Sequence, residues 1–127
     1  MQKNIKNLLE RSSLFIAIGI TVLIAYLSLS RPVQLNLEIT FLDKILHLVA
    51  YFTLTVSWLF ALKDYSNNKI IFISLFLYGV LMEFLQGWLT TYREKDILDV
   101  IANTVGVLIA MLVFNKLLKY YVKIFDN

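Results

Sequence analysis

The stretch ILDVIANTVGVLIAMLVFNKLL, residues 97–118, carries one acid near its start, one lysine near its end and no charge between them. At ~1.5 Å per residue a helix of this length reaches about 33 Å, enough to cross a hydrocarbon core of ~30 Å. Three further apolar runs of similar length, 12–29, 43–62 and 70–89, share the chain with it. The economical reading is an all-α integral membrane protein: a bundle of four transmembrane helices.

Composition agrees. The chain has 127 residues, of which 59% are hydrophobic, with a mean hydropathy of +0.72, well above the roughly 45–50% apolar content of soluble domains. The 17% of charged residues fall mostly into short clusters between the apolar runs, as when charge is confined to loops. No repeat, low-complexity tract or linker divides the chain, and the single proline, Pro32, follows the first span, so residues 1–127 read as one membrane domain. The net charge is +3, but the lysines flank apolar segments and make no basic face among aromatics, so no nucleic-acid partner is expected. Without cysteine, disulfides and thiolate metal sites are excluded.

Lys3, Lys6 and Arg11 before an apolar run, with the small-residue SLS at Ser28 to Ser30, also resemble a signal peptide. The run outlasts the usual ~7–15 residue core of such a signal, so an uncleaved first helix is the better reading. Orientation follows from the cations. With the N-terminus inside, the inner side holds Lys3, Lys6, Arg11, Lys63, Lys69, Lys116, Lys119 and Lys123, and the outer side only Arg31, Lys44, Arg93 and Lys95; this bias favours N-in and C-in. The first outer loop, VQLNLEITF at residues 33–41, alternates apolar and polar residues, a strand signal. With no second strand to pair with, it is expected to lie extended or interfacial against the bundle.

The polar residues of the last three spans gather at one level. In DKILHLVAY, residues 43–51, the positions Asp43, His47 and Tyr51 follow one helix face, with Lys44 at its edge. Glu83 and Gln86 lie about 9 and 5 Å below Leu89 by helical rise. Asp99, Asn103, Gly106 and Ala110 form a stripe on the last helix, and Ala102, Gly106 and Ala110 repeat the small-xxx-small spacing that lets helices approach closely. Arg93 lies in the loop between. The inner halves of the spans are nearly all apolar, with Ser57 and Ser74 as exceptions. A charge at mid-span costs at least ~2.5 kcal/mol, so acids there face the bundle, find partners and mark function. Taken singly, each residue also has a plain structural role. Asp43 and Asp99 can cap helices, Lys44 can snorkel, and His47, Gln86 and Asn103 can bond helices together. Tyr51 can pack, and Arg93 can pair with Glu94 or Asp96. Glu83 is the hardest to explain that way. Together they imply a polar pocket open to the outer side.

These motifs resemble the VanZ-like membrane proteins, whose pattern is DK-x-x-H-x-x-x-Y, E-x-x-Q, R and D-x-x-x-N-x-x-G. DKILHLVAYF, EFLQGW, Arg93 and DVIANTVG match it in order across residues 43–106. No single piece is specific; the set is. The resemblance carries over Asp43, Lys44, His47, Tyr51, Glu83, Gln86, Arg93, Asp99, Asn103 and Gly106. It departs at EKDIL, where Lys95 and Asp96 intervene, so Asp96 is left out of the site. The resemblance implies a bacterial cell-envelope role, in the multi-pass cytoplasmic membrane, with a family link to glycopeptide resistance; the family has no settled biochemical activity, and resistance itself does not transfer to this chain.

Among chemistries, Ser/His/Asp catalysis is poorly supported, since no serine lies near His47 on the polar faces. His47, Glu83 and Asp99 are the candidate catalytic residues, as acid, base or electrostatic groups. Asp43, Lys44, Tyr51, Gln86, Arg93 and Asn103 are candidate binding residues, with Lys44 and Arg93 placed to clamp a phosphate. One histidine without metalloprotease spacing, beside a competing Lys44, argues against a metal, so no cofactor is expected; a divalent ion on His47, Asp43, Glu83 or Asp99 is the one cofactor these residue types admit. The expected partners are membrane lipids and a lipid-linked envelope precursor. The alternatives are a small assembly protein whose network only fixes helix register, with a partner not named by the sequence, and a proton-coupled carrier, for which the inner half offers no polar path.

Overall fold

The computed structural model of the chain describes residues 2–30, 39–63, 67–90 and 97–125. Among them are four helices and no strand: α1 (Gln2–Leu29), α2 (Ile39–Ala61), α3 (Asn68–Leu89) and α4 (Ile97–Phe125). All four are long and apolar enough to span a membrane.

The helices outrun the apolar spans that mark them. α1 continues through the charged residues Lys3 to Arg11, and α4 through Lys116, Lys119 and Lys123. Hydropathy registers only the part that meets hydrocarbon, whereas backbone hydrogen bonding propagates through lysines, leucines and glutamates, which are good helix formers. The same effect corrects the expectation for residues 33–41. Ile39, Thr40 and Phe41 form the first turn of α2, where the backbone carbonyls gain intrahelical partners that a lone strand lacks; residues 33–38 lie outside the described residues. At α3 the start is set locally: the Asn67 side chain accepts from the Ile70 amide at 2.9 Å, a standard N-cap.

The distribution of polarity is the reverse of a soluble protein. Phe15 and Leu112 are 75% and 72% exposed, while Glu83, Gln86, Asp99 and Asn103 are buried. In water, so much exposed apolar surface would drive association; in a bilayer it is the face that meets lipid, and the polar groups turn inward because hydrocarbon offers them no partner. The apolar core is small, built on Tyr51, Leu54, Leu59, Val107 and Phe114 with contributions from α1 and α3.

α2 and α4 form the most extensively packed pair, α1 lies chiefly on α2, and α3 leans chiefly on α4. Buried positions of α4 recur at three- and four-residue steps, from Asp99 to Ala102 or Asn103, then Gly106, Ala110 and Phe114, one stripe of the helix. Gly106 is the closest point. A methyl group there would strike the Leu48 carbonyl oxygen and stand 3.1 Å from the Phe52 nitrogen, so only glycine lets the two backbones meet. Alternating chain direction makes α2 and α4 parallel: Lys44 lies by Asp99, His47 by Asn103, and Leu48 by Gly106.

Candidate functional site

That parallel register places the first turns of α2 and α4 side by side, and with them Asp43, Lys44, His47, Asp99 and Asn103. Asp99 sits in the first turn of α4, where unpaired backbone amides favour negative charge. The Lys44 ammonium donates to Asp99 Oδ1 and lies 3.4 Å from Asp43 Oδ2. His47 Nδ1 lies 2.9 Å from Asn103 Oδ1. An amide oxygen can only accept, so Nδ1 carries the proton and donates it. The opposite ring nitrogen, Nε2, faces both acids, 3.7 Å from Asp43 Oδ1 and 3.6 Å from Asp99 Oδ2. Each carboxylate thus gives one oxygen to the lysine and turns the other toward the imidazole.

Exposure grades across this cluster. The side chains of Asp43, Lys44, His47 and Asp99 are 36%, 21%, 13% and 8% exposed, so the group is open on the Asp43 side and closed at Asp99. One turn deeper on α2, Tyr51 is buried, and its hydroxyl has no hydrogen-bond partner among the described residues. α3 reaches this level through Gly79, where an added methyl would lie 3.3 Å from both the Asn103 amide nitrogen and the Tyr51 ring. Glu83, one turn further along α3, is buried.

The expected residues therefore divide. Asp43, Lys44, His47, Asp99 and Asn103 are in mutual contact. Tyr51 lies beneath them, and Glu83 is buried on α3 one turn past Gly79. Gln86 is buried, but its amide nitrogen donates to the Ser28 carbonyl of α1 at 2.9 Å, so it joins α3 to α1. Ala102, Gly106 and Ala110 line the packed face of α4. Arg93 and Asp96 fall outside the described residues.

Some polar partnerships have no counterpart in the sequence reading. Trp58 Nε1 donates to the Thr21 hydroxyl at 2.8 Å, which itself donates to the Ala17 carbonyl at 2.8 Å. The Tyr78 hydroxyl donates to the Thr21 carbonyl at 2.7 Å. These bonds tie α1 to α2 and α3 at mid-bundle. At the far end, Lys63 donates to Glu10 at 2.9 Å and lies over the Tyr121 ring at 5.0 Å, while the Tyr121 hydroxyl donates to the same carboxylate at 3.1 Å. Lys63 entered the sequence reading only as a topogenic charge. Its partner was legible only to the extent that Glu10 is the sole acid in the N-terminal segment, residues 1–30.

The cluster sets two carboxylates against one ammonium and one imidazole. It can accept hydrogen bonds from hydroxyl or amine groups, and offer one ammonium to an anion. His47, oriented by Asn103 and flanked by acids, has the arrangement of an imidazole positioned for proton transfer.

Comparison with known proteins gives these residues a setting. The family model described as VanZ/LLP1 matches residues 2–119. The chain is 31% identical over 109 residues to "Uncharacterized protein C11E3.10" of Schizosaccharomyces pombe, a match covering 82% of this chain and 63% of that protein. The chain thus spans less than two thirds of the length of that relative. No solved structure matches it.

Proposed function

Because this chain belongs to the VanZ/LLP1 family, a family it enters as a multi-pass membrane protein, we propose that it binds the polar head of a membrane amphiphile at the end of the bundle where α2 and α4 begin. The observation that carries this reading is the graded cluster from Asp43 to Asp99, polar and partly open, set in a bundle that exposes many large apolar side chains. An amphiphile held there keeps its tails in lipid, beside exposed side chains such as Ile45, Leu46 and Ile101, while its head meets Lys44, Asp43 and His47. Acids and one lysine together suit a head that carries both hydrogen-bond donors and phosphate, as a lipid-linked sugar precursor does. Arg93 is the second cation proposed for the phosphate.

The excess of Lys and Arg beside the opposite ends of the helices supports a site that faces away from the cytoplasm. In a bacterium this is the outer face of the cytoplasmic membrane, where an envelope precursor is within reach; the fission-yeast relative broadens the ligand class to phosphate-bearing amphiphiles in general. Acid–base chemistry on the bound head would fall to His47 and Glu83. A second reading, a small assembly protein, is favoured by one observation: Lys44 with Asp99 and His47 with Asn103 are paired across α2 and α4, which also fixes helix register.

The experiment is mass identification of lipids that remain on the protein after mild detergent extraction. Binding predicts a phosphate-bearing amphiphile at near one per chain. Only bulk membrane lipids, in bulk proportion, would leave the assembly reading in its place.

A further inference from the structure

We propose that Asp43, His47 and Asp99 form a binding site for a divalent transition-metal ion, of the borderline class that accepts imidazole together with carboxylates. Their ligand atoms all lie within 4.8 Å of one another. Two donors sharing an ion at bond lengths of about 2.0–2.2 Å stand roughly 3–3.5 Å apart; here Nε2 is 3.7 Å from Asp43 Oδ1 and 3.6 Å from Asp99 Oδ2. One ion on all three needs both carboxylate oxygens to close slightly on Nε2 and to draw toward each other from a separation of up to 4.8 Å.

Independent of this spacing, the orientation of the histidine points to a ligand. Its Nδ1–H is committed to Asn103 Oδ1 at 2.9 Å, the outer contact that characteristically fixes a metal-bound histidine. Nε2 is thereby turned toward two carboxylate oxygens, a nitrogen-and-oxygen donor set that suits a divalent cation. The two separations exceed the ~2.7–2.9 Å of a charge-assisted hydrogen bond and lie close to the spacing of two donors on one ion.

Lys44 does not fill this position. It holds Asp99 Oδ1 and approaches Asp43 Oδ2, the oxygens turned away from the imidazole, and so steadies both carboxylates in the pose that presents Asp43 Oδ1 and Asp99 Oδ2 to Nε2. Two acids and one imidazole match the preferences of Mn²⁺, Co²⁺ or Zn²⁺ better than the all-oxygen sets of Mg²⁺ and Ca²⁺. The proposal stands apart from the amphiphile reading, since the ion is tested without lipid ligand.

The test uses the full chain in detergent micelles, purified through a histidine-free tag and stripped with a chelator. Mn²⁺ alone is titrated and followed by electron paramagnetic resonance. His47 is the single histidine of the chain, so a directly coupled imidazole nitrogen on bound Mn²⁺ identifies it without any substitution. One Mn²⁺ per chain with that coupling is the expected result. Asp99→Asn should lower affinity at least tenfold, and Asn103→Ala by about tenfold through the freed ring, whereas Tyr121→Phe at the far end should leave it unchanged. Absence of binding, or binding with no nitrogen coupling, overturns the proposal. Binding seen only after Lys44→Met overturns it as well, and assigns the lysine ammonium as the resident cation.

Discussion

Gly106 of α4 lies directly against the Leu48 carbonyl of α2, and Phe52 N is 3.1 Å from where its missing methyl would stand. This contact sets the height at which the two helices cross. Within two turns toward their N-termini, the same register brings His47 to Asn103 and Lys44 to Asp99, so a packing feature and the polar cluster are consequences of one close approach.

Gly106→Leu should therefore separate α2 from α4 and disperse the cluster. Overpacking of this kind costs about 1–3 kcal/mol, read as a lower midpoint in SDS-induced unfolding of the reconstituted protein. A midpoint equal to the wild type would mean that the helices do not meet at this residue.

Replacing Asn103 by leucine removes the acceptor from His47 Nδ1. Interhelical hydrogen bonds in membrane proteins average ~0.6 kcal/mol, so the stability loss should be small. The clearer signal is in ¹⁵N spectra of the imidazole: a ring held with Nδ1 protonated in the wild type, and a mixture of tautomers in Asn103→Leu. Identical spectra would contradict the assigned bond.

Lys44 and Asp99 should be energetically coupled. Each single change, Lys44→Met or Asp99→Asn, strands a partner in a mostly buried setting, while the double change strands neither. A double-mutant cycle is expected to give about 1.5–3 kcal/mol, the range for hydrogen bonds to charged groups. Additive losses would show the contact to be without energetic weight.

At mid-bundle, Thr21→Val deletes the acceptor of the Trp58 indole and should loosen α1 by about 1 kcal/mol. Because α1 supplies none of the residues that meet Asp99, Mn²⁺ affinity should stay as in the wild type. A tenfold drop would tie α1 to the cluster.

The spans were legible because hydrocarbon thickness demands long uninterrupted apolar runs, and 97–118 or 70–89 admit no other reading. The α2 and α4 sides of the cluster were legible through spacing: Asp43, His47 and Tyr51 share a face, as do Asp99, Asn103 and Gly106. Helix ends were not, since Lys3 and Lys6 or Lys119 and Lys123 continue a helix as readily as they end an apolar run. Ile39 to Phe41 show the converse, a period of two that helix propagation overrides. Nor does periodicity say which neighbour a side chain meets. Gln86 shares a face with Glu83, yet bonds to Ser28 of α1. Pairs remote in sequence, such as Glu10 with Lys63 and Thr21 with Trp58, depend on how the helices are arranged around one another.

The central claim is that the cluster between α2 and α4 holds a ligand and does more than join helices. Lys44→Met with Asp99→Leu replaces the charged pair by apolar groups, an exchange that is commonly neutral or stabilising for buried pairs. The deciding measurement is native mass spectrometry of this double variant beside the wild type. The variant should fold with stability equal to or greater than the wild type's, and the phosphate-bearing amphiphile should remain on the wild type and be lost from the variant. The same amphiphile retained at the same occupancy by both proteins would contradict the account.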